Sequence, residues 1–367
     1  MNLLHIGHIT ENKSNGINVV VPQHIINQSK IEGVNVALLN ISRDEKGLNN
    51  IKHFSSDIQG NHFLDKLKAP FNKPDLVVFH GIYYKKYIKI YKVLLKRGIP
   101  YIVFPHGSLV KRAMRTKAIK KYVAHILLFN KFIKNAVAVQ FLTKGEQDNS
   151  IFSNKGIVLP NGLYVSQSNT EKKEKKEHIQ IIFIGRKNRM HKGLDLLMEA
   201  IILKRQELLD NKLRFVIVGP DRMGTDSYIN EVINKFSLED IVVNMGAVYG
   251  EEKENLFKNS DIFVHTSRWE GLPTAVLEAM NNRIPVFVTR GTNMYEDVEN
   301  NSCGWVAETN VASIVTQLEK IIQEKDLIQE YGENAYNYVK SKYDWDKISK
   351  EAIEEYRKII NDIRGKQ

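Results

Sequence analysis

Two carboxylates, Glu270 and Glu278, lie within a stretch that reads T-S-R-W-E-G-L-P-T-A-V-L-E-A-M from Thr266 to Met280. Before it, Asp261-Ile262-Phe263-Val264 is an apolar run of strand length. Gly271 predicts a turn, and Pro273 falls where a helix starts, a position that needs no amide donor. Pro273, Val276, Leu277 and Met280 recur at helical spacing and give that helix a buried face. Amides in a helix's first turn are unpaired and the dipole is positive there, so strand, turn and helix start together predict a phosphate-sized anion site. Thr274 and Glu278, four apart, share a neighbouring face. A carboxylate beside an anion site cannot be there for the phosphate. It can accept hydrogen bonds from hydroxyls, and a nucleotide sugar offers hydroxyls on both sides of its diphosphate. Spacing alone leaves a plainer alternative open, that both glutamates are solvated surface charges.

The run E-G-L-P-T-A-V-L-E, followed by a P-V-x-V strand from Pro285 to Val288, resembles the E-x(7)-E signature of family 4 glycosyltransferases. These are retaining enzymes of the GT-B fold. The resemblance implies an α/β protein, two Rossmann-like, doubly wound parallel-sheet domains facing a cleft. Carried over by position, Glu278 would bind the nucleotide ribose and Glu270 the hydroxyls of the transferred sugar. Backbone around Gly271, Leu272, Pro273 and Thr274 would meet the phosphates. Arg186 and Lys192, in the G-R-x(5)-K-G that begins at Gly185, match the family's cations on the donor diphosphate. They follow the apolar strand Ile181 to Ile184, and open α/β sheets bind ligands outside the carboxyl ends of their strands. The alternative is two exposed basic residues in a basic chain. His106, in Pro105-His106-Gly107-Ser108-Leu109, matches the family's histidine facing the donor sugar. Gly16 matches the glycine of the first loop, where the family usually has two adjacent glycines and this chain has Asn15-Gly16. One glycine still permits a positive φ and close approach to the donor phosphate, with a plain tight turn as the alternative.

Breaking a sugar–diphosphate bond requires countercharge on the leaving group. The D-x-D triplet that often holds a metal for this purpose occurs as Asp344-Trp345-Asp346, where the last helix begins. An N-cap with an aromatic anchor explains it better. No metal and no cofactor are therefore expected, and Arg186 and Lys192 supply the cations. The resemblance implies transfer on one face of the sugar, the leaving phosphate taking the acceptor's proton, so no glutamate nucleophile is assigned. P-H-G-S-L followed by a basic helix looks most like bacterial enzymes that build capsule or lipopolysaccharide oligosaccharides on a lipid carrier. The implied partners are a nucleotide diphosphate sugar of the UDP type, carrying a hexose or N-acetylhexosamine, and a glycan or lipid-linked oligosaccharide acceptor.

Charge divides the chain. Residues 1–170 carry 24 Lys+Arg against 9 Asp+Glu, a net of +15, while residues 171–367 net −4. Between Asp75 and Glu146 there is no acidic residue and there are 15 basic ones. Such asymmetry points to an anionic partner for the first half, a membrane surface or nucleic acid. The tyrosines among these lysines fall at helical spacing, which favours core packing over a base-stacking platform. No nucleic-acid module is visible, so no nucleic acid is expected. The opening M-N-L-L-H-I-G reads as a first buried strand rather than a signal peptide, and no apolar run approaches the ~18 residues of a membrane span. A single cysteine, Cys303, excludes an internal disulfide and suits a reducing compartment. The expected location is the cytoplasm, at the inner face of the membrane.

Strand-length apolar runs alternate with amphipathic helices throughout, which implies parallel sheets in series. The expected division is residues 1–164 as the acceptor-binding domain, 165–178 as a charged linker, 179–343 as the nucleotide-sugar domain, and 344–367 as a helix bracing the first domain. Basic helices are expected after Gly81 and between Lys111 and Lys134, and Ile284 to Val288 as the last clear strand. Two other function classes compete. An epimerase acting on nucleotide sugars is disfavoured by the E-x(7)-E spacing, and a nucleic-acid binder by the absence of a recognisable module.

Overall fold

The computed structural model describes residues 1–12, 16–42, 48, 50–55, 62–109, 129–165 and 177–365. Most of the Lys111–Lys134 region and of the 165–178 stretch therefore lies outside the described residues. The chain folds as two compact units, Met1–Gly162 together with Trp345–Gln367, and Leu163–Asp344.

The first unit contains β1 Asn2–Gly7, β2 Asn35–Asn40, β3 His53–Phe54, β4 Leu76–His80, β5 Tyr101–Phe104, β6 Ala138–Phe141 and β7 Gly156–Val158. They form one sheet in the order β3-β2-β1-β4-β5-β6-β7, with every pairing parallel. Runs such as Leu76-Val77-Val78-Phe79 are apolar without alternation because both faces of a parallel sheet are covered. The strand order reverses between β1 and β4, which fixes the ligand end of this sheet at the carboxyl ends of those strands. Beside it, the helix Lys85–Lys96 buries Tyr87, Ile90, Tyr91 and Leu94 and leaves Lys85, Lys89, Lys92 and Lys96 exposed. The helix Trp345–Arg364 belongs to this unit. Its Trp345 ring meets His24 edge-on at 4.9 Å and lies tightly over Gly162, and Tyr356 donates to Gln140 Oε1 at 2.6 Å.

The second unit contains β8 Ile179–Ile184, β9 Lys187–Asn188, β10 Leu213–Val218, β11 Asp221–Arg222, β12 Val242–Met245, β13 Ile262–His265, β14 Val286–Thr289 and β15 Gly304–Ala307. The main sheet runs β12-β10-β8-β13-β14-β15, while β9 and β11 pair as a small ribbon. Its order repeats that of the first unit and reverses between β8 and β13. The β8 and β13 ends are the two places where the sequence puts Arg186 and Glu270.

Gly16 is the first residue of the helix Gly16–Gln28. One expectation needs correction. Ile284 to Val288 does not hold the last strand, since β15 follows and pairs with β14. Four residues that begin with glycine are too short for periodicity to reveal. The segment that follows Gly193 folds as two helices, Leu194–Leu203 and Arg205–Asp210.

Candidate functional site

Beyond β8 the chain turns sharply. Gly185 stays tied to the sheet by donating to the Val218 carbonyl, Arg186 points into solvent, and Lys187 folds inward. Lys187 is buried and held by Asp226, Asn244 Oδ1 at 2.9 Å and the Met245 carbonyl at 2.8 Å. Asn188 then organises the next turn, accepting from the His191 amide on its side chain and from the Lys192 amide on its carbonyl. Gly193 follows with φ +62, and a Cβ there would collide with the Thr266 carbonyl oxygen. Only glycine allows the 187–193 turn to lie this close to the loop after β13.

That second loop is stitched to the first. Arg268 donates its amide to the His191 carbonyl at 2.9 Å and its guanidinium to both oxygens of Asp195 at 2.7 Å. Thr266 Oγ1 donates to the Lys192 carbonyl at 3.1 Å. The result brings Lys192 and Glu270 together as an ion pair, both largely buried. Glu270 Oε1 also accepts from Ser267 Oγ at 2.8 Å and from His265 Nε2 at 3.2 Å. Burial opposes a charge on Glu270, but the Lys192 ammonium and the His265 hydrogen bond outweigh it and hold the carboxyl well below the usual range. His265 and His191 are pushed the other way: burial leads in both, with the Lys192 charge adding to it and Glu270 only partly opposing, so both imidazoles stay neutral. All of these contacts fall on Oε1. Glu270 Oε2 has no partner among the described residues, so an ionised acceptor remains open.

The turn that follows supplies donors. Pro273 caps the helix Thr274–Asn281 with φ −76 and ψ 100, so the helix begins one residue later than the sequence suggests. Its carbonyl takes the Val276 amide at 3.0 Å. The amides of Gly271, Leu272, Thr274 and Ala275 donate to no group among the described residues. Four open amides at a helix start, following the Lys192–Glu270 ion pair, form an anion cradle. Glu278 lies one turn further along and is paired with Lys253 Nζ at 2.6 Å, both partly exposed. Arg186 makes no ion pair among the described residues, although its charge contributes to keeping His191 neutral.

His106 and Gly16 lie in the first unit. His106 follows β5 with φ 49, a left-handed conformation that is uncommon for a side-chain-bearing residue and is characteristic of functional turns. Its ring stacks on Phe104, centroids 3.8 Å apart, and its Nε2 is 2.9 Å from His80 Nδ1. A buried carboxylate holds the turn: Glu146 accepts the Gly107 amide on one oxygen and the Leu142 amide on the other, each at 2.8 Å. Thr143 caps the helix Lys144–Asp148 by accepting from the Glu146 amide, which aims this side chain.

The structure therefore gathers Gly185, Arg186, Lys192, Glu270, Gly271, Leu272, Pro273, Thr274 and Glu278 around the second unit's switch point. Sequence reasoning missed Lys253, His265, Ser267 and Glu146. Only His265 had a visible signal, a polar residue closing an apolar strand.

Residues 166–338 match the family described as Glycosyl transferases group 1. An uncharacterized glycosyltransferase of Methanocaldococcus jannaschii is 29% identical over 189 residues, 51% of this chain and 46% of that protein. The putative colanic acid biosynthesis glycosyltransferase WcaL of Escherichia coli is 28% identical over 145 residues, 38% of this chain and 34% of that protein. The matched stretches thus span about half, or less, of these relatives' own length. Among solved structures, Anabaena Alr3699/HepE in complex with UDP superposes with a TM-score of 0.75 at 16% identity, covering 98% of this chain and 100% of that one. Two doubly wound parallel-sheet units of this order make the fold GT-B. Over residues 166–338 the chain is similar to the glycosyl transferases group 1 family, and the family 4 resemblance read from E-G-L-P-T-A-V-L-E is borne out.

Proposed function

We propose that this protein is a retaining, metal-independent glycosyltransferase. It moves a hexose or N-acetylhexosamine from a UDP-type nucleotide sugar to a glycan acceptor carried on lipid, in the synthesis of a bacterial surface polysaccharide. The observation that carries the reading is the open oxygen of ionised Glu270, a residue paired with Lys192 and followed in the chain by the unpaired amides of Gly271 to Ala275. Hydroxyls fit the first and a diphosphate fits the others. WcaL's description and the UDP held by HepE support the pathway and the nucleotide.

In this reading the diphosphate lies on the amides with Arg186 and Lys192 facing it. As the sugar–phosphate bond breaks, negative charge grows on the leaving oxygen and these cations stabilise it. The acceptor hydroxyl attacks from the same face and passes its proton to the departing phosphate. Glu270 Oε2 orients the sugar. In the first unit, burial lowers the His106 pKa to about 3, so its imidazole is neutral and suited to a sugar hydroxyl.

Thermal unfolding in EDTA against a panel of nucleotide sugars tests the proposal. UDP-sugars should raise Tm, because a ligand at 100 times its dissociation constant adds about 2.7 kcal/mol. No shift with any nucleotide or nucleotide sugar would remove the donor site. A companion expectation concerns Glu278→Ala. Loss of an ionised acceptor for the ribose hydroxyls should weaken UDP binding by roughly 1.5–3 kcal/mol. Its pairing with Lys253 is exposed enough to contribute about 0–1 kcal/mol, so Tm without ligand should barely move. Equal UDP affinity by calorimetry would take Glu278 out of the site.

The acceptor side predicts membrane contact. No described helix is long and apolar enough to cross a membrane. Lys85, Lys89, Lys92 and Lys96 instead form an exposed stripe on one helix, and none is paired among the described residues. Each lysine near an anionic surface contributes about 1 kcal/mol. The protein should therefore sediment with vesicles containing anionic lipid and not with neutral ones. Binding should largely vanish at 1 M salt, where the Debye length falls to about 3 Å. Changing the four lysines to Glu should abolish it. Saturable DNA binding without vesicle binding at matched salt would refute the membrane reading.

A further inference from the structure

The proposed chemistry uses His106 and leaves the imidazoles behind it without a task. His5, in the middle of β1, and His80, the last residue of β4, stand side by side at the first unit's switch point, both buried. His5 Nε2 is 2.8 Å from Gln28 Oε1, His5 Nδ1 is 2.7 Å from His80 Nε2, and His80 Nδ1 is 2.9 Å from His106 Nε2. Neighbouring ring planes are 19° and 27° apart with centroids at 5.0 and 5.2 Å, so the rings meet edge to edge through their nitrogens. Every ring nitrogen in this row has a partner within it except His106 Nδ1, at the outer end.

A neutral imidazole has one N–H and one bare nitrogen. Burial keeps the row neutral, lowering His5 and His106 to about 3 and His80 well below its ordinary value. The adjacent His24, bonded to Asn161 at 3.0 Å, is lowered to about 4 by burial, so no imidazolium stands beside the row. Each ring must then donate on one side and accept on the other, and the three turn together. Gln28 decides the direction. Its Oε1 only accepts, so His5 carries its proton on Nε2 and accepts from His80 Nε2–H. His80 in turn accepts from His106 Nε2–H, and His106 Nδ1 is left bare. The amide nitrogen of Gln28 is buried without a hydrogen-bond partner. A reversed amide would present N–H to His5 and invert every bond, making His106 Nδ1 a donor.

We propose that Gln28, His5 and His80 are positioning residues that set the tautomer of His106 and hold its Nδ1 as a hydrogen-bond acceptor for a sugar hydroxyl. The sugar as ligand rests on the function proposed above; the control of the tautomer does not.

Heteronuclear NMR of the ligand-free protein, labelled with nitrogen-15 in histidine, distinguishes protonated from bare ring nitrogens. In the wild type, His106 Nδ1 should resonate as a bare nitrogen and Nε2 as N–H. Gln28→Met removes the acceptor at the inner end, and His80→Phe cuts the row in the middle. In each, His106 should shift toward a mixture of both tautomers, with circular dichroism showing that the variant is folded. If one variant fails to fold, the other and the wild-type spectrum decide. A proton on Nδ1 of wild-type His106, or an unchanged His106 tautomer in a folded variant, would overturn the proposal. Because no donor is present, the result stands apart from whether the protein transfers sugar.

Discussion

Lys192→Ala is expected to damage transfer and folding together, whereas the double variant Lys192→Met with Glu270→Gln restores folding alone. Lys192 and Glu270 are 12% and 13% exposed, and removing one member of a buried pair typically costs about 3–5 kcal/mol because the other is left uncompensated. Burial already works against the Glu270 charge, so without Lys192 the carboxyl is driven toward its protonated form. Replacing both members by neutral groups of similar shape removes that penalty. Catalysis does not recover, because a preorganised cation facing the leaving phosphate contributes about 10²–10³ in rate. Chemical denaturation and turnover, measured on the single and double variants with the donor found by thermal shift, read the two effects separately. A double variant with wild-type turnover would show that neither group takes part in transfer.

The second large effect is a pH dependence built into Glu146. Burial raises this carboxyl to about 7, with the amide hydrogen bonds from Leu142 and Gly107 only partly offsetting it. The folded protein therefore binds that proton more tightly than the unfolded chain, whose glutamates titrate near 4.3. Its contribution to stability is fully present below the unfolded value and is lost as pH rises through about 7. At about 1.4 kcal/mol per unit, the loss across this window is roughly 3 kcal/mol. Glu146→Gln cannot titrate, so the stability difference between wild type and variant should change by that amount between pH 4 and pH 8. Denaturation curves at a series of pH values measure it, and a pH-independent difference would contradict the assignment.

Much of the second unit was readable from the chain because its site is built from local signals. A strand end, a glycine turn and a helix start fix Gly271 to Glu278 within one short segment, and the same logic placed Arg186 and Lys192 after β8. Contacts between distant segments were not readable in this way. Lys253 reaches Glu278 across 25 positions, and Glu146 reaches Gly107 across 39, so only the completed sheet brings them together. The Lys192–Glu270 pair was half visible. Both residues were singled out, but their direct contact depends on Gly193 lying against the β13 loop, which no periodicity encodes.

The helix Trp345–Arg364 has a consequence for how the protein is made. It belongs to the first unit, yet the whole of the second unit, Leu163–Asp344, is translated before it. On the ribosome, the second unit can complete its core while the first still lacks Trp345 against His24 and Tyr356 against Gln140. Until those residues emerge, an apolar surface that the finished molecule covers is open to chaperones. Order of synthesis and order of completion are thus inverted: the half that begins first closes last.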